Sequence, residues 1–196
     1  MEENLKGQFK VEVSLLYREA YFAKMQYILL YKLYNEILKN NENFKYVYGS
    51  IFDALEFSVL SKLTKIYDTD TDKQSITLLH VFNKLQSCKE LNNNDPKIKK
   101  FTLEILKELK SKDKEIEKIK VCRDKIVAHL DKKYPRGLLS LSADEQLNFE
   151  ILKESSYYAY EKLKKLYELA FNEELLDTKQ FEFLELELND IYDKLK

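Results

Sequence analysis

The chain has 196 residues, which suits one domain or one domain with an appendage, and 44% of them are hydrophobic, enough to exclude wholesale disorder. Only 3 Gly and 2 Pro occur, which argues against turn-rich sandwiches and barrels and removes any Gly-rich phosphate cradle. A formal net charge of -1 leaves no global basic field for duplex nucleic acid or anionic lipid, while 34% charged residues suit long solvated helices.

Helical spacing of Leu15, Leu16, Phe22, Met25, Leu29, Leu33 and Ile37 predicts a first helix from about Phe9 to Leu38. The polar run Lys39–Asn43 ends it. A second helix is expected from about Phe44 to Tyr67, through Ile51, Leu55, Val59, Leu63 and Ile66, followed by an Asp/Thr loop. Ser75 is the expected N-cap of a short third helix carrying Leu78, Leu79, Phe82 and Leu85. Asp95 and Pro96 read as the cap and first residue of a long fourth helix running unbroken to Leu130. Pro135 and Gly137 mark an irregular stretch, and Ser142–Glu145 fits a capping box opening a fifth helix to about Phe171. The tail from Asp177 alternates like a strand in places, but its Glu, Leu and Lys favour helix. The expectation is an all-α bundle of five or six helices in a single domain, with a core over about 9–171 and a C-terminal helical appendage over 177–196.

Cys88 and Cys122 make no disulfide framework, no basic region followed by an apolar stretch opens the chain, and no apolar run is long enough to span a bilayer. The expected location is cytoplasmic, away from membranes. Two distant His and two distant Cys offer no zinc spacing, and no metal or other cofactor is expected.

Arginine occurs at only three positions and histidine at two, and one of each falls within Arg123–Asp131. Ile105, Leu109, Ile116, Ile119, Arg123, Ile126 and Leu130 form a three-four-spaced stripe, which puts Arg123 where an apolar residue is expected. A guanidinium keeps its charge, so at such a position it must meet a carboxylate, a subunit boundary or an anionic ligand. His129 lies about 120° round the helix and roughly 9 Å along it, so one straight helix does not aim both at one atom. Two antiparallel copies across a two-fold axis would supply an Arg and a His from each chain to one groove. A neutral imidazole can move a proton at a ribose 2'-hydroxyl or a leaving oxygen, and an arginine can hold the phosphate oxygens. The residues alone favour slightly a structural Arg paired with an acid and a His near a helix C-terminus.

The stretch Arg123-Asp124-Lys125-Ile126-Val127-Ala128-His129-Leu130-Asp131 resembles the R-x(4–6)-H motif of the HEPN superfamily (higher eukaryotes and prokaryotes nucleotide-binding), most closely its AbiU-type branch linked to phage abortive infection. Leu55–Asp68 and Ser75–Leu79 are similar to that branch's second helix, loop and following helix start, so the resemblance covers most of residues 9 to 170. It implies a homodimeric α-helical bundle with a composite cleft at the dimer interface and metal-independent endoribonuclease activity on single-stranded RNA. It further implies a phosphate-binding role for Arg123 and an acid/base role for His129, with Asp124, Lys125 and Asp131 in support. An antitoxin or a phage-derived trigger protein is the expected further partner. Asp131 stands where the antitoxin-modified branch has Tyr, so modification by a nucleotidyltransferase antitoxin is not implied. The alternative is a HEPN-like module that binds RNA, a nucleotide or a protein without cutting.

Lys112–Arg136 holds nine basic and five acidic residues, a local excess able to guide RNA or simply to solvate a helix face. Tyr17, Tyr21, Tyr27, Tyr31 and Tyr34 sit at helical spacings, where packing is a better expectation than base stacking, and His80 reads as a structural histidine.

Overall fold

The computed structural model describes residues 2–38, 45–69, 75–130 and 149–173, together with Leu186 and Asp190. Seven helices carry the described chain: α1 (Glu2–Lys32), α2 (Lys45–Tyr67), α3 (Leu78–Ser87), the single turn α4 (Lys89–Asn92), α5 (Pro96–Ser111), α6 (Asp113–Leu130) and α7 (Phe149–Phe171). A π-helical turn over Leu33–Leu38 extends α1. Among the described residues there is no strand. The all-α expectation is met among the described residues; the expected helical appendage over 177–196 lies outside them except for Leu186 and Asp190. The capping box at Ser142–Glu145 also lies outside them.

α1 is the central helix. Its buried stripe, Phe9, Val13, Leu16, Tyr17, Ala20, Ala23, Tyr27 and Leu30, steps by three and four residues and so stays on one side of the helix. Against it α7 runs antiparallel: Phe9 meets Phe171, Tyr17 and Tyr21 meet Tyr160, Tyr27 meets Tyr157, and Tyr31 meets Phe149. The small residues Ser155, Ser156 and Ala159 of α7 are buried, and the Tyr67 hydroxyl donates to the Ser155 carbonyl at 2.7 Å. α2 is also antiparallel to α1, since Ser58 bonds Gln26 while Lys62 and Lys65 both reach Glu19.

The start of α3 falls two residues later than expected. Thr77, not Ser75, is its N-cap, and the Thr77 Oγ1 accepts the His80 backbone N–H at 3.1 Å. Either hydroxyl type can cap, but the buried Leu78 and Val81 fix which turn of chain faces the core. At the start of α5 the cap is where composition places it: the Asp95 carboxylate accepts the Lys97 N–H at 2.7 Å with Pro96 following. Asn93 and Asn94, with φ of 49° and 54°, take the left-handed turn before it, a conformation asparagine tolerates.

The expected single helix from Pro96 to Leu130 is two helices. The break is at Lys112, whose N–H donates to the Leu109 carbonyl three residues back, while the Ser111 hydroxyl donates to the Glu108 carbonyl at 2.7 Å. Ser and Asp offer the backbone local alternatives to helix without any Gly or Pro, so Ser111-Lys112-Asp113 interrupts a run whose apolar period looks continuous. Lys112 leaves the helical region (φ -92°, ψ 3°), and α5 and α6 touch only around this break, so α6 does not fold back along α5. α5 is antiparallel to α7, with Phe101 beneath Lys165 and Glu108 bonded to Tyr158 and Lys162. α2 and α7 both oppose α1, so α6 runs antiparallel to α2, against which it packs. Lys120 fastens the two, reaching Asp68 at 3.3 Å and Thr69 at 3.2 Å just beyond the end of α2.

Candidate functional site

α6 carries the Arg123–His129 segment, and over 113–124, where its side chains are described, the core residues are Ile116, Ile119 and Cys122. The apolar line therefore passes through Cys122, not through Arg123 as the sequence stripe suggests. Ile105, Leu109, Ile116 and Ile119 of that stripe are all buried, and the line departs from it only at Cys122. Arg123 is left at the margin of the core with about a third of its side chain exposed (33%). Its guanidinium meets a carboxylate, as its charge requires: Nε and Nη2 donate to one oxygen of Asp124, at 2.8 and 2.5 Å. Asp124 is 64% exposed, so the pair is solvent-screened and weak, well under the strength of a buried pair. A guanidinium so held can exchange its partner for a phosphate at little cost.

Lys125 and His129 occupy the last turns of α6 and, four residues apart, fall on one face of it; their side chains lie outside the described residues. Asp131 lies outside them too. The structure thus brings Arg123 and Asp124 into contact and places Lys125 and His129 on the same helix. Of the basic residues around the segment, Lys114 and Lys118 are exposed, Lys112 is paired with Glu115 at 3.1 Å and Lys120 is fastened to α2.

The other candidates resolve as packing or surface groups. Tyr17, Tyr21 and Tyr27 are buried in ring contacts with α7, whereas Tyr31 and Tyr34 are half exposed beside Phe149. His80 stands 3.9 Å from Glu12, whose carboxylate also receives Lys84 at 2.7 and 2.8 Å. Among the described residues no cluster of three His, Cys, Asp or Glu side chains is placed to hold a metal ion, and no helix is long and apolar enough to cross a membrane.

One polar residue escaped the sequence reading. Glu56, inside the run Leu55-Glu56-Phe57, is only 4% exposed. The core face of α2 runs through Glu56, Val59, Leu60, Leu63 and Ile66, whereas Ile51, taken from the sequence as part of the stripe, is exposed. Burial, with Asp53 one turn back adding like charge, pushes the Glu56 carboxyl up to about 8, so it favours its neutral form. An acid spaced three residues before Val59 and seven before Leu63 was the available signal, and it reads as a break in amphipathicity unless the helix phase is known.

Residues 6–193 match the family model of AbiU2, a HEPN family, so the chain is a HEPN protein. Within that superfamily it belongs to the AbiU2 family. No curated protein and no solved structure gives a significant match to it.

Proposed function

We propose that the protein is a metal-independent endoribonuclease of the HEPN type, cleaving single-stranded RNA in phage defence by abortive infection or in toxin–antitoxin growth arrest. The observation that carries this reading is a chain of the AbiU2 family with Arg123 and His129 six residues apart on one helix, the arginine at the core margin and held only by a solvent-exposed neighbour. The working unit is a homodimer, because the two side chains leave one helix in directions about 120° apart and a second copy supplies the complementary pair.

In this reaction the ribose 2'-oxygen attacks the adjacent phosphorus and its proton passes to the imidazole of His129. The bond from phosphorus to the 5'-oxygen breaks, and that oxygen takes a proton as it leaves. Arg123 holds the non-bridging oxygens on which charge builds, releasing Asp124 as it does so. Asp124, Lys125 and Asp131 tune the charge around the pair. The products are a 2',3'-cyclic phosphate and a 5'-hydroxyl. RNA is the substrate, and an antitoxin or a phage-derived trigger would control access to it.

A second reading is a HEPN module that binds RNA, a nucleotide or a protein without cleavage, and the intrachain Arg123–Asp124 pair is the observation that favours it. Purified Arg123→Ala and His129→Ala proteins decide between them. Both are expected to keep the fold and the dimer while losing about 10²–10⁴-fold in cleavage rate. Undiminished cleavage by either variant would contradict the proposal.

A further inference from the structure

Two tyrosines at the end of α1 are more open than packing requires. Tyr31 is 47% and Tyr34 42% exposed, although both make ring contacts. Between centroids, Tyr34 lies 4.8 Å from Phe149 and 6.0 Å from Phe52, and Tyr31 lies 5.8 Å from Phe149. Rings from α1, its π-helical turn, α2 and α7 thus meet at one end of the bundle, and two of them face solvent. A tyrosine ring carries a large apolar area, so leaving two half in water forgoes stabilisation that a further contact would recover. A group of exposed rings marks a binding surface in a way that a lone apolar residue does not.

The cluster continues along the seam between α1 and α7. On α7, Phe149, Lys153, Tyr157, Tyr160 and Lys164 step by three and four residues and so share one flank. Across the seam on α1, the Lys24 ammonium lies 5.0 Å from the Tyr157 ring and 4.3 Å from the Tyr160 ring. Among the described residues, Lys24, Lys153 and Lys164 are paired with no carboxylate, whereas Lys10 meets Glu173 and Lys162 meets Glu108. The acids Glu150, Glu154 and Glu161 of α7 are displaced from that line by about 60–100° round the helix. On α2, Asp53 is exposed, while Glu56, one turn beyond Phe52, is buried and favours its neutral form near pH 7. Rings interleaved with cations that lack acid partners are the composition of a single-strand nucleic-acid surface, where bases stack on rings and phosphates meet ammonium groups.

The end of the bundle that carries the cluster is also the end towards which α6 runs, since α1 and α6 both oppose α2. Measured from the Asp68–Lys120 contact, the backbone at His129 lies about 14 Å along the bundle and that at Phe52 about 24 Å. The cluster therefore stands about 10 Å beyond the level of His129, within the span of one RNA strand.

We propose that the open rings of Tyr31 and Tyr34, backed by Phe149 and Phe52, form with Lys24, Lys153 and Lys164 a stacking track that holds unpaired bases of an RNA strand beside the Arg123–His129 segment. The inference rests on the reading of the protein as one that acts on single-stranded RNA. Such a track recognises base faces and phosphate charge and not base edges, so it selects unpaired strands over duplex with little preference for sequence.

The test uses the full chain and a short, unstructured 2'-O-methyl RNA, which lacks the hydroxyl needed for cleavage, with affinity read by fluorescence anisotropy. Tyr31→Leu and Tyr34→Leu should each weaken binding by about 5–150-fold, the loss of one stacked base. Tyr34→Phe keeps the ring and should stay within about twofold of the wild type. Lys153→Gln should reduce the slope of log affinity against log salt by about 0.7. The matching abasic oligomer should bind the wild type as weakly as the intact oligomer binds the leucine variants. Equal binding of the intact and abasic oligomers by the wild type, or no binding of either, would overturn the track, as would unchanged affinity in folded leucine variants. Should those variants fail to fold, the abasic comparison decides alone. Loss of the dimer in them, measured by light scattering, would assign the rings to an interface between copies and also overturn the track. Because the oligomer is uncleavable, the track can stand while the nuclease reading fails. Cleavage of ordinary RNA by a protein whose leucine variants bind the oligomer as the wild type does is the reverse result.

Discussion

Two carboxyls of the first helical hairpin are treated in opposite ways. Glu19 on α1 is partly buried, which opposes its charge, yet Lys62 and Lys65 outweigh that burial and hold its carboxyl below the usual range. Glu56 on α2 is more deeply buried, has no such cations among the described residues, and is pushed the other way. The residue type is the same; the partner decides whether the group is a structural ion or a reservoir of unspent electrostatic potential. The Glu19 end of the hairpin is built as ordinary scaffold. The Glu56 end gives up stability on a helix that packs against α6.

The contrast can be tested on one helix face. Leu63, fully buried two turns beyond Glu56, should cost about 2–5 kcal/mol when replaced by Ala, measured by denaturant unfolding. A loss below 1 kcal/mol would mean that α2 is not packed as described. Glu56→Leu should do the reverse. Removing the acid is expected to raise stability by about 1–3 kcal/mol near pH 8. The sign follows from the raised pKa. With a folded value of about 8 and an unfolded value near 4.5, Glu56 costs nothing below the unfolded value, and its penalty grows as pH rises towards the folded one. The Glu56→Leu gain should therefore be smallest near pH 4 and grow to pH 8. A gain independent of pH would place the effect in packing and not in the carboxyl.

Much of the scaffold was readable from the residues, because periodicity and caps are local. The Asp95-Pro96 start of α5, the end of α2 at Tyr67 and the end of α7 at Phe171 all fall where pattern puts them. What failed was local. The stripe through Val59, Leu63 and Ile66 is the core face of α2, but at its start it ran through Ile51, which is exposed, and passed over Glu56, because an acid at a core position reads as surface. The stripe drawn across Ser111-Lys112-Asp113 holds at Ile105, Leu109, Ile116 and Ile119, but it assumed one helix where there are two, and at its far end it put Arg123 in the seam where Cys122 lies instead. Both errors concern tertiary facing, which a single helix does not encode. The Arg123–His129 segment was visible for a different reason: arginine and histidine are so scarce in this chain that one of each in a single short helical stretch stands out. Its match to the AbiU2 family extends over nearly the whole chain.

The most direct test of the account is to incubate the purified wild-type protein with single-stranded RNA in excess chelator and to identify the product ends. The account predicts 2',3'-cyclic phosphate and 5'-hydroxyl termini at undiminished rate, absent when His129 is replaced by Ala. RNA that remains intact while bound to the protein, or products ending in 3'-hydroxyl and 5'-phosphate, would contradict it.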